Sequence, residues 1–222
     1  MPVASRYKGF FITLEGGEGS GKSTQALRLF RSLTAKGYDV LHTREPGGTA
    51  VAEQLRKILL NDSAEPLAAE TEALLILAAR RQHVDHVIRP ALERGTIVVC
   101  DRFADSTFAY QGYGRGLNLK VLRRMNDWAT GNLSPHLTLV FDLPVATGLR
   151  RRGVSSVGNR LDRETRAFHT RVRAGFHKLA KEDPRRILLV DARPSPDAIA
   201  IQVETLVLAR LPQSLVGNTR RR

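Results

Sequence analysis

The run Gly16-Gly17-Glu18-Gly19-Ser20-Gly21-Lys22-Ser23 fits G-x-x-x-x-G-K-[ST] without a mismatch and directly follows the apolar stretch Phe10-Phe11-Ile12-Thr13-Leu14. Such a segment folds only as a buried strand, a tight loop and a helix, because its glycines permit backbone conformations closed to other residues. Several N–H groups then converge on phosphate oxygens at the helix N-terminus. Lys22 is expected to reach the β- and γ-phosphates, and the Ser23 hydroxyl to ligate Mg²⁺. The helical pattern of Gln25–Arg31 separates this loop from an inert glycine-rich turn.

Further apolar runs bounded by turn residues recur at Asp39–Thr43, Thr96–Asp101, Leu137–Leu143 and Ile187–Asp191. With Phe10–Glu15 they predict five buried strands. Helical patterns lie between them at about Lys22–Lys36, Ala50–Leu60, Pro66–Arg94, Leu117–Thr130, Asp162–Lys181 and Pro196–Leu211. The alternation predicts an α/β fold, a five-stranded parallel sheet with helices on both faces. With 222 residues, one domain is expected over 1–211, followed by a basic C-terminal tail at 212–222 that is expected to be disordered. From 150 to 162, Arg-Arg-Arg-Gly-Val-Ser-Ser-Val-Gly-Asn-Arg-Leu-Asp is basic and loosened by glycine and serine, which suits a short lid. Gly112–Gly116 reads as a loop, and His83 and His86 as surface residues of the long third helix.

No apolar run is long enough to span a bilayer, and no leader pattern precedes the first strand, so a cytoplasmic protein without membrane contact is expected. Cys100, the one cysteine, excludes an internal disulfide and ends an apolar strand, as a buried thiol would. The net charge of +13 raises nucleic acid as a partner. No aromatics interleave the arginine clusters to stack on bases, so the cations fit small anionic ligands better and no nucleic-acid partner is expected. Asp101, at the end of its strand, is placed to help hold magnesium, and Arg102 to grip a phosphate at the carboxyl edge of the sheet.

Five landmarks occur in order: Glu15–Ser23; Thr43-Arg44-Glu45-Pro46-Gly47-Gly48-Thr49; Ala78-Ala79-Arg80; Asp101-Arg102-Phe103-Ala104-Asp105-Ser106-Thr107-Phe108-Ala109-Tyr110-Gln111-Gly112; and Arg160-Leu161-Asp162-Arg163. On these the chain resembles the thymidylate kinase family in its bacterial form, from Phe10 to about Leu211. The resemblance implies a P-loop nucleoside-monophosphate kinase fold, and transfer of the γ-phosphoryl of ATP to dTMP with Mg²⁺, giving dTDP and ADP for dTTP synthesis. ATP would lie on Gly16, Gly17, Glu18, Gly19, Ser20, Gly21, Lys22, Ser23 and Thr24, with adenine near Asp191, Ala192 and Arg193. Ser23 and Asp101 would organise the metal.

The resemblance also implies the acceptor side. Arg102 and Arg56 would hold the dTMP phosphate, and Arg80, Thr107 and Gln111 would recognise thymine. Tyr110 would fill the space of a ribose 2′-hydroxyl, Glu18 would lie near the 3′-hydroxyl, and Glu45 with Pro46 would shape the phosphate corner. Ile76 stands where the family presents a phenylalanine to stack on the base, so stacking is expected to be weaker or to be taken over by a neighbour such as Phe108. Glu18 and Ser20 leave the interior of the loop without a cation. Catalytic charge is therefore expected from the lid arginines Arg150, Arg151, Arg152 and Arg160 together with Lys22 and Arg102. A homodimer using long helices is implied as well. Two other readings stay open: another nucleotide or nucleoside kinase of this fold, and a P-loop NTPase switch that binds nucleic acid.

Overall fold

The computed structural model describes residues 7–61, 65–153, 160 and 163–216. Five strands, β1 (Phe10–Gly16), β2 (Val40–Arg44), β3 (Ile97–Asp101), β4 (Leu137–Asp142) and β5 (Ile187–Asp191), form one parallel sheet in the order β2-β3-β1-β4-β5. Strand β1 is central and buried along its whole length, which is why its sequence is a continuous apolar run. Because side chains alternate across a strand, Phe10, Ile12 and Leu14 face one core and Phe11 the other. Helices α1 (Lys22–Ala35) and α9 (Pro196–Leu208) cover the first face through Leu29, Leu33, Ile199 and Val203. The second is covered by α3 (Ala69–His83), α4 (Arg89–Glu93) and α8 (Arg166–Glu182).

Most elements fall where periodicity puts them, and the departures have local causes. The long third helix starts at Ala69, and its last part consists of a π-helical turn at Val84–Ile88 followed by α4. Pro90 lies near the start of α4, and its missing N–H accounts for the widened turn before it. Helix α8 starts at Arg166 because the Thr165 hydroxyl accepts from the Phe168 N–H. Helix α6 (Leu119–Thr130) starts after Asn118, whose side chain accepts from Lys120 and Val121 N–H.

The loop expected at Gly112–Gly116 is a correction. After α5 (Ala104–Thr107), a π-helical segment runs over Phe108–Gly114, and its glycines serve close packing. A Cβ at Gly114 would lie 2.7 Å from the Phe168 ring. The sequence between α2 (Ala50–Leu60) and α3 includes 62–64, outside the described residues. Of the expected lid, Arg150–Gly153 form the last turn of α7 (Val145–Gly153), whereas 154–159 and 161–162 lie outside the described residues. The tail is corrected in part: α10 (Gln213–Val216) buries Leu215 in the first core, with Leu29 and Ile199, and 217–222 lie outside the described residues. No helix among the described residues is long and apolar enough to cross a membrane. Cys100 is buried, as expected.

Candidate active site

The carboxyl ends of β1, β2 and β3 bring Gly16, Arg44 and Asp101 to one edge of the sheet, and a cleft of about 500 Å³ opens there. From Gly16 the chain wraps into α1 through Gly19 and Gly21, both at positive φ. The Ser20 hydroxyl closes the turn on the Gly17 carbonyl at 2.8 Å. Lys22 is 7% exposed, and its Nζ lies 3.4 Å from the Gly17 carbonyl and 4.0 Å from Glu18. Burial and then the nearby Arg102 charge pull its pKa below the usual lysine value. The Ser23 hydroxyl donates to Asp101 Oδ2, while Asp101 Oδ1 is buried with no partner. This hydroxyl–carboxylate pair, with an oxygen left over, fits a hard divalent cation shared with phosphates. Among the described residues no group of three or more His, Cys, Asp or Glu could hold a metal by itself.

Arg102 follows β3 at φ 72 and is held from all sides. Its guanidinium donates to the Gly16 carbonyl (3.3 Å), Ser106 Oγ (3.1 Å), Glu18 (2.5 Å) and Tyr110 OH (3.2 Å), and it stacks 4.9 Å from the Tyr110 ring. Glu18 is the common partner of this corner. It accepts from Tyr110 OH at 2.8 Å and from Arg152 at 3.1 Å. Burial alone would raise its pKa, but Lys22, Arg102, Tyr110 and Arg152 together hold it well below the carboxylate range.

On the other side Glu45 follows β2 and takes the Arg80 Nε–H at 2.7 Å and meets His83 Nδ1 at 3.0 Å. Burial raises the Glu45 pKa, and the charges and hydrogen bonds of Arg80 and His83 lower it further than that. Arg80 also donates to Asn126 Oδ1 (3.0 Å), and its guanidinium lies 4.9 Å from the Phe103 ring. His83 is fully buried, with Nε2 at 2.7 Å from Thr43 Oγ1, which corrects its expected surface position; His86 is exposed. Position 83 faces the strand ends because it lies three residues beyond Arg80, on the same side of α3.

All ten residues expected on the acceptor side, Glu18, Glu45, Pro46, Arg56, Ile76, Arg80, Arg102, Thr107, Tyr110 and Gln111, line the one cleft, together with Lys22, Ser23, Asp101 and Arg152. Arg56 donates to the Pro46 carbonyl at 2.8 Å, and Thr107 Oγ1 is buried without a partner. Phe108 is not in the cleft: it is in the core under Arg123, and the aromatic wall is Phe103. Sequence reading also passed over His42, Arg44, Leu60 and Ser106 as lining residues. Phe103 and Ser106 stood inside a quoted motif, whereas Leu60, at the end of α2, carried no signal.

The lid arginines are not gathered at one point. Arg152 meets Glu18 in the cleft, Arg151 donates to the Ala192 carbonyl at 3.0 Å, Arg150 is exposed, and Arg160 donates to Glu72 on α3. Arg193 pairs with Asp191 at 2.8 Å on the surface.

The five-stranded parallel sheet, with a phosphate-binding loop between β1 and α1 opening on an arginine-lined cleft, has the fold of a P-loop nucleoside-monophosphate kinase. A family model described as thymidylate kinase matches residues 14–203. A thymidylate kinase of Thermomicrobium roseum is 54% identical over 192 residues, 86% of this chain and 90% of that protein. One from a Synechococcus species is 50% identical over 207 residues, 93% and 98% of the two. The solved thymidylate kinase of Ehrlichia chaffeensis superimposes with a TM-score of 0.73 at 34% identity, covering 90% of this chain and 98% of that one. The chain belongs to the thymidylate kinase family.

Proposed function

We propose that the chain transfers the γ-phosphoryl group of ATP to dTMP, with Ser23 and Asp101 as the residues that would hold Mg²⁺. The observation that carries this reading is that the loop lysine and all ten acceptor-side residues line one cleft. Arg102 and Arg56 grip the acceptor phosphate, whose oxygen is anionic at neutral pH and needs no general base. Arg80 and Gln111 read the base, with the unpartnered Thr107 hydroxyl beside them. Ile76, Leu60 and Phe103 supply its apolar walls. Tyr110, anchored by Glu18 and Arg102, closes the space beside the sugar. Lys22 and Arg152 stabilise charge on the moving group from the protein, and Mg²⁺, when bound, would supply further neutralisation there. Thr24 and the loop glycines hold the phosphates, and Asp191, Ala192 and Arg193 border adenine.

The cations that converge on this cleft, Arg44, Arg56, Arg102 and Arg152 among them, give the +13 charge a use in binding two nucleotides without nucleic acid. We include a homodimer in the proposal, supported by Ile58, Leu74 and Trp128, which are exposed on the neighbouring helices α2, α3 and α6. The proposed setting is the cytoplasm, away from membranes; the single, buried thiol suits a reducing compartment. The chain is one kinase domain with a short basic lid. Lys22→Ala tests the donor side: kcat is expected to fall by roughly 10²–10³-fold or more while dTMP still binds. Retained turnover would exclude the loop as the ATP site.

A further inference from the structure

Behind the wall of the cleft, Glu72 of α3 is buried and takes four side-chain donors from three residues. Gln111 Nε2 donates to its Oε1 at 2.7 Å, Arg115 donates through Nε at 3.4 Å and NH2 at 3.2 Å, and Arg160 donates to Oε2. Arg115 also pairs with Glu164 at 2.6 Å, and Arg160 reaches the Leu59 and Leu60 carbonyls at the end of α2. None of these contacts is to substrate, yet they decide which face of Gln111 the substrate meets.

We propose that Glu72 is a positioning residue for base selectivity: it fixes the Gln111 carboxamide with its oxygen toward the cleft, so that the site accepts a keto pyrimidine and rejects an amino pyrimidine. This rests on the reading above that Gln111 faces the acceptor base. An ionised carboxylate is acceptor-only, so only the NH₂ end of Gln111 can face it. Two guanidinium groups keep Glu72 ionised; burial raises its pKa, and the hydrogen bonds from Gln111, Arg115 and Arg160 lower it by more. The cleft is thereby left with an acceptor at Gln111 Oε1 beside the guanidinium donors of Arg80. A thymine or uracil edge offers N3–H and O4, the complement of that pair. Cytosine offers an N3 acceptor and an amino donor, which meet like against like. Because Arg160 stands at the end of the basic segment and shares the same carboxylate, that end of the lid and the base-reading amide are held by one group.

Glu72→Gln keeps the shape but can either accept from or donate to Gln111, so the amide is free to flip. Calorimetric Kd values for dTMP and dCMP are expected to converge by about ten-fold or more, with kcat on dTMP within about three-fold of wild type. The double exchange Glu72→Gln/Gln111→Glu restores an acceptor-only group in the cleft and is expected to restore the ratio. An unchanged ratio in Glu72→Gln, or no recovery in the double variant, overturns the proposal. Should Glu72→Gln fail to fold, the wild-type protein still decides: the Gln111 NH₂ protons are expected to be protected from water exchange before dTMP is added. Protection that arises only with dTMP overturns the assignment. Gln111→Leu separates the two layers. If it keeps the wild-type ratio, the base-pocket reading fails with the proposal; if it collapses the ratio while Glu72→Gln leaves it intact, only the role of Glu72 fails.

Discussion

Glu15 is fully buried beneath the phosphate-binding loop, where it accepts from the Phe103 N–H at 2.8 Å, the Ser106 N–H at 3.3 Å and the Ser106 hydroxyl. It thereby shapes the turn that presents Arg102. Burial, and next the charge of Asp105, push its carboxyl up to about 8, against the opposing pull of Ser106, Arg102 and Phe103. The folded protein then keeps a proton that the unfolded chain releases near its ordinary value of 4.5. Between those two values the native state binds more protons, so this group's contribution to stability falls as pH rises through the window. Glu15→Gln preserves the accepting oxygen and removes the titration. The wild type is expected to lose urea resistance relative to Glu15→Gln between about pH 5 and about pH 8. A constant difference between the two proteins across that range would contradict it. Glu18, Glu45 and Glu72 have lowered pKa values, so their contributions are already complete above 4.5 and are lost only on acidification below it.

Helix α7 connects the phosphate-binding loop to the basic segment. Gly148 allows the approach: a Cβ there would lie 2.3 Å from the Glu18 carbonyl oxygen. The next turn delivers Arg152 to Glu18 and Arg151 to the Ala192 carbonyl, so two consecutive arginines reach the phosphate-binding loop and the end of β5. Arg152→Ala is expected to slow single-turnover transfer by about 10²-fold, and Arg150→Ala, at an exposed position, to slow it much less. Equal chemical steps in both variants and the wild type would remove the lid from the reaction. The strands were legible in sequence because β1, β3 and β4 are buried on both faces and read as unbroken apolar runs. Ala104–Gly114 was not, since burial on nearly every side erases amphipathic period and its glycines imitate a loop. The polar pairings that hold the site in shape were illegible for another reason. Glu45 with His83, and Glu72 with Arg115, join positions 38 and 43 residues apart, a pairing no local pattern contains.

Across the whole molecule, the parallel order β2-β3-β1-β4-β5 sets the loop after β1 beside the ends of β2 and β3, so that Lys22 and the residues expected on the acceptor side line one cleft. The residues lining that cleft were readable largely through the T-R-E-P-G-G-T and D-R-F-A-D-S-T runs; composition and charge offered only an anionic ligand. Finding Phe103 and not Phe108 along the cleft needed the fold around α5: both rings pack in one core, and of the two only Phe103 also borders the cleft. With Ile76 and Phe103 among its apolar lining and Arg80 and Gln111 among its polar lining, the cleft suits the pyrimidine monophosphate proposed as acceptor. The decisive measurement is a phosphoryl-acceptor panel with ATP and Mg²⁺ over dTMP, dUMP, dCMP, dGMP, AMP and thymidine. The expected result is conversion of dTMP to dTDP with the highest kcat/KM of the set. Efficient turnover of another acceptor with none of dTMP would contradict the assignment.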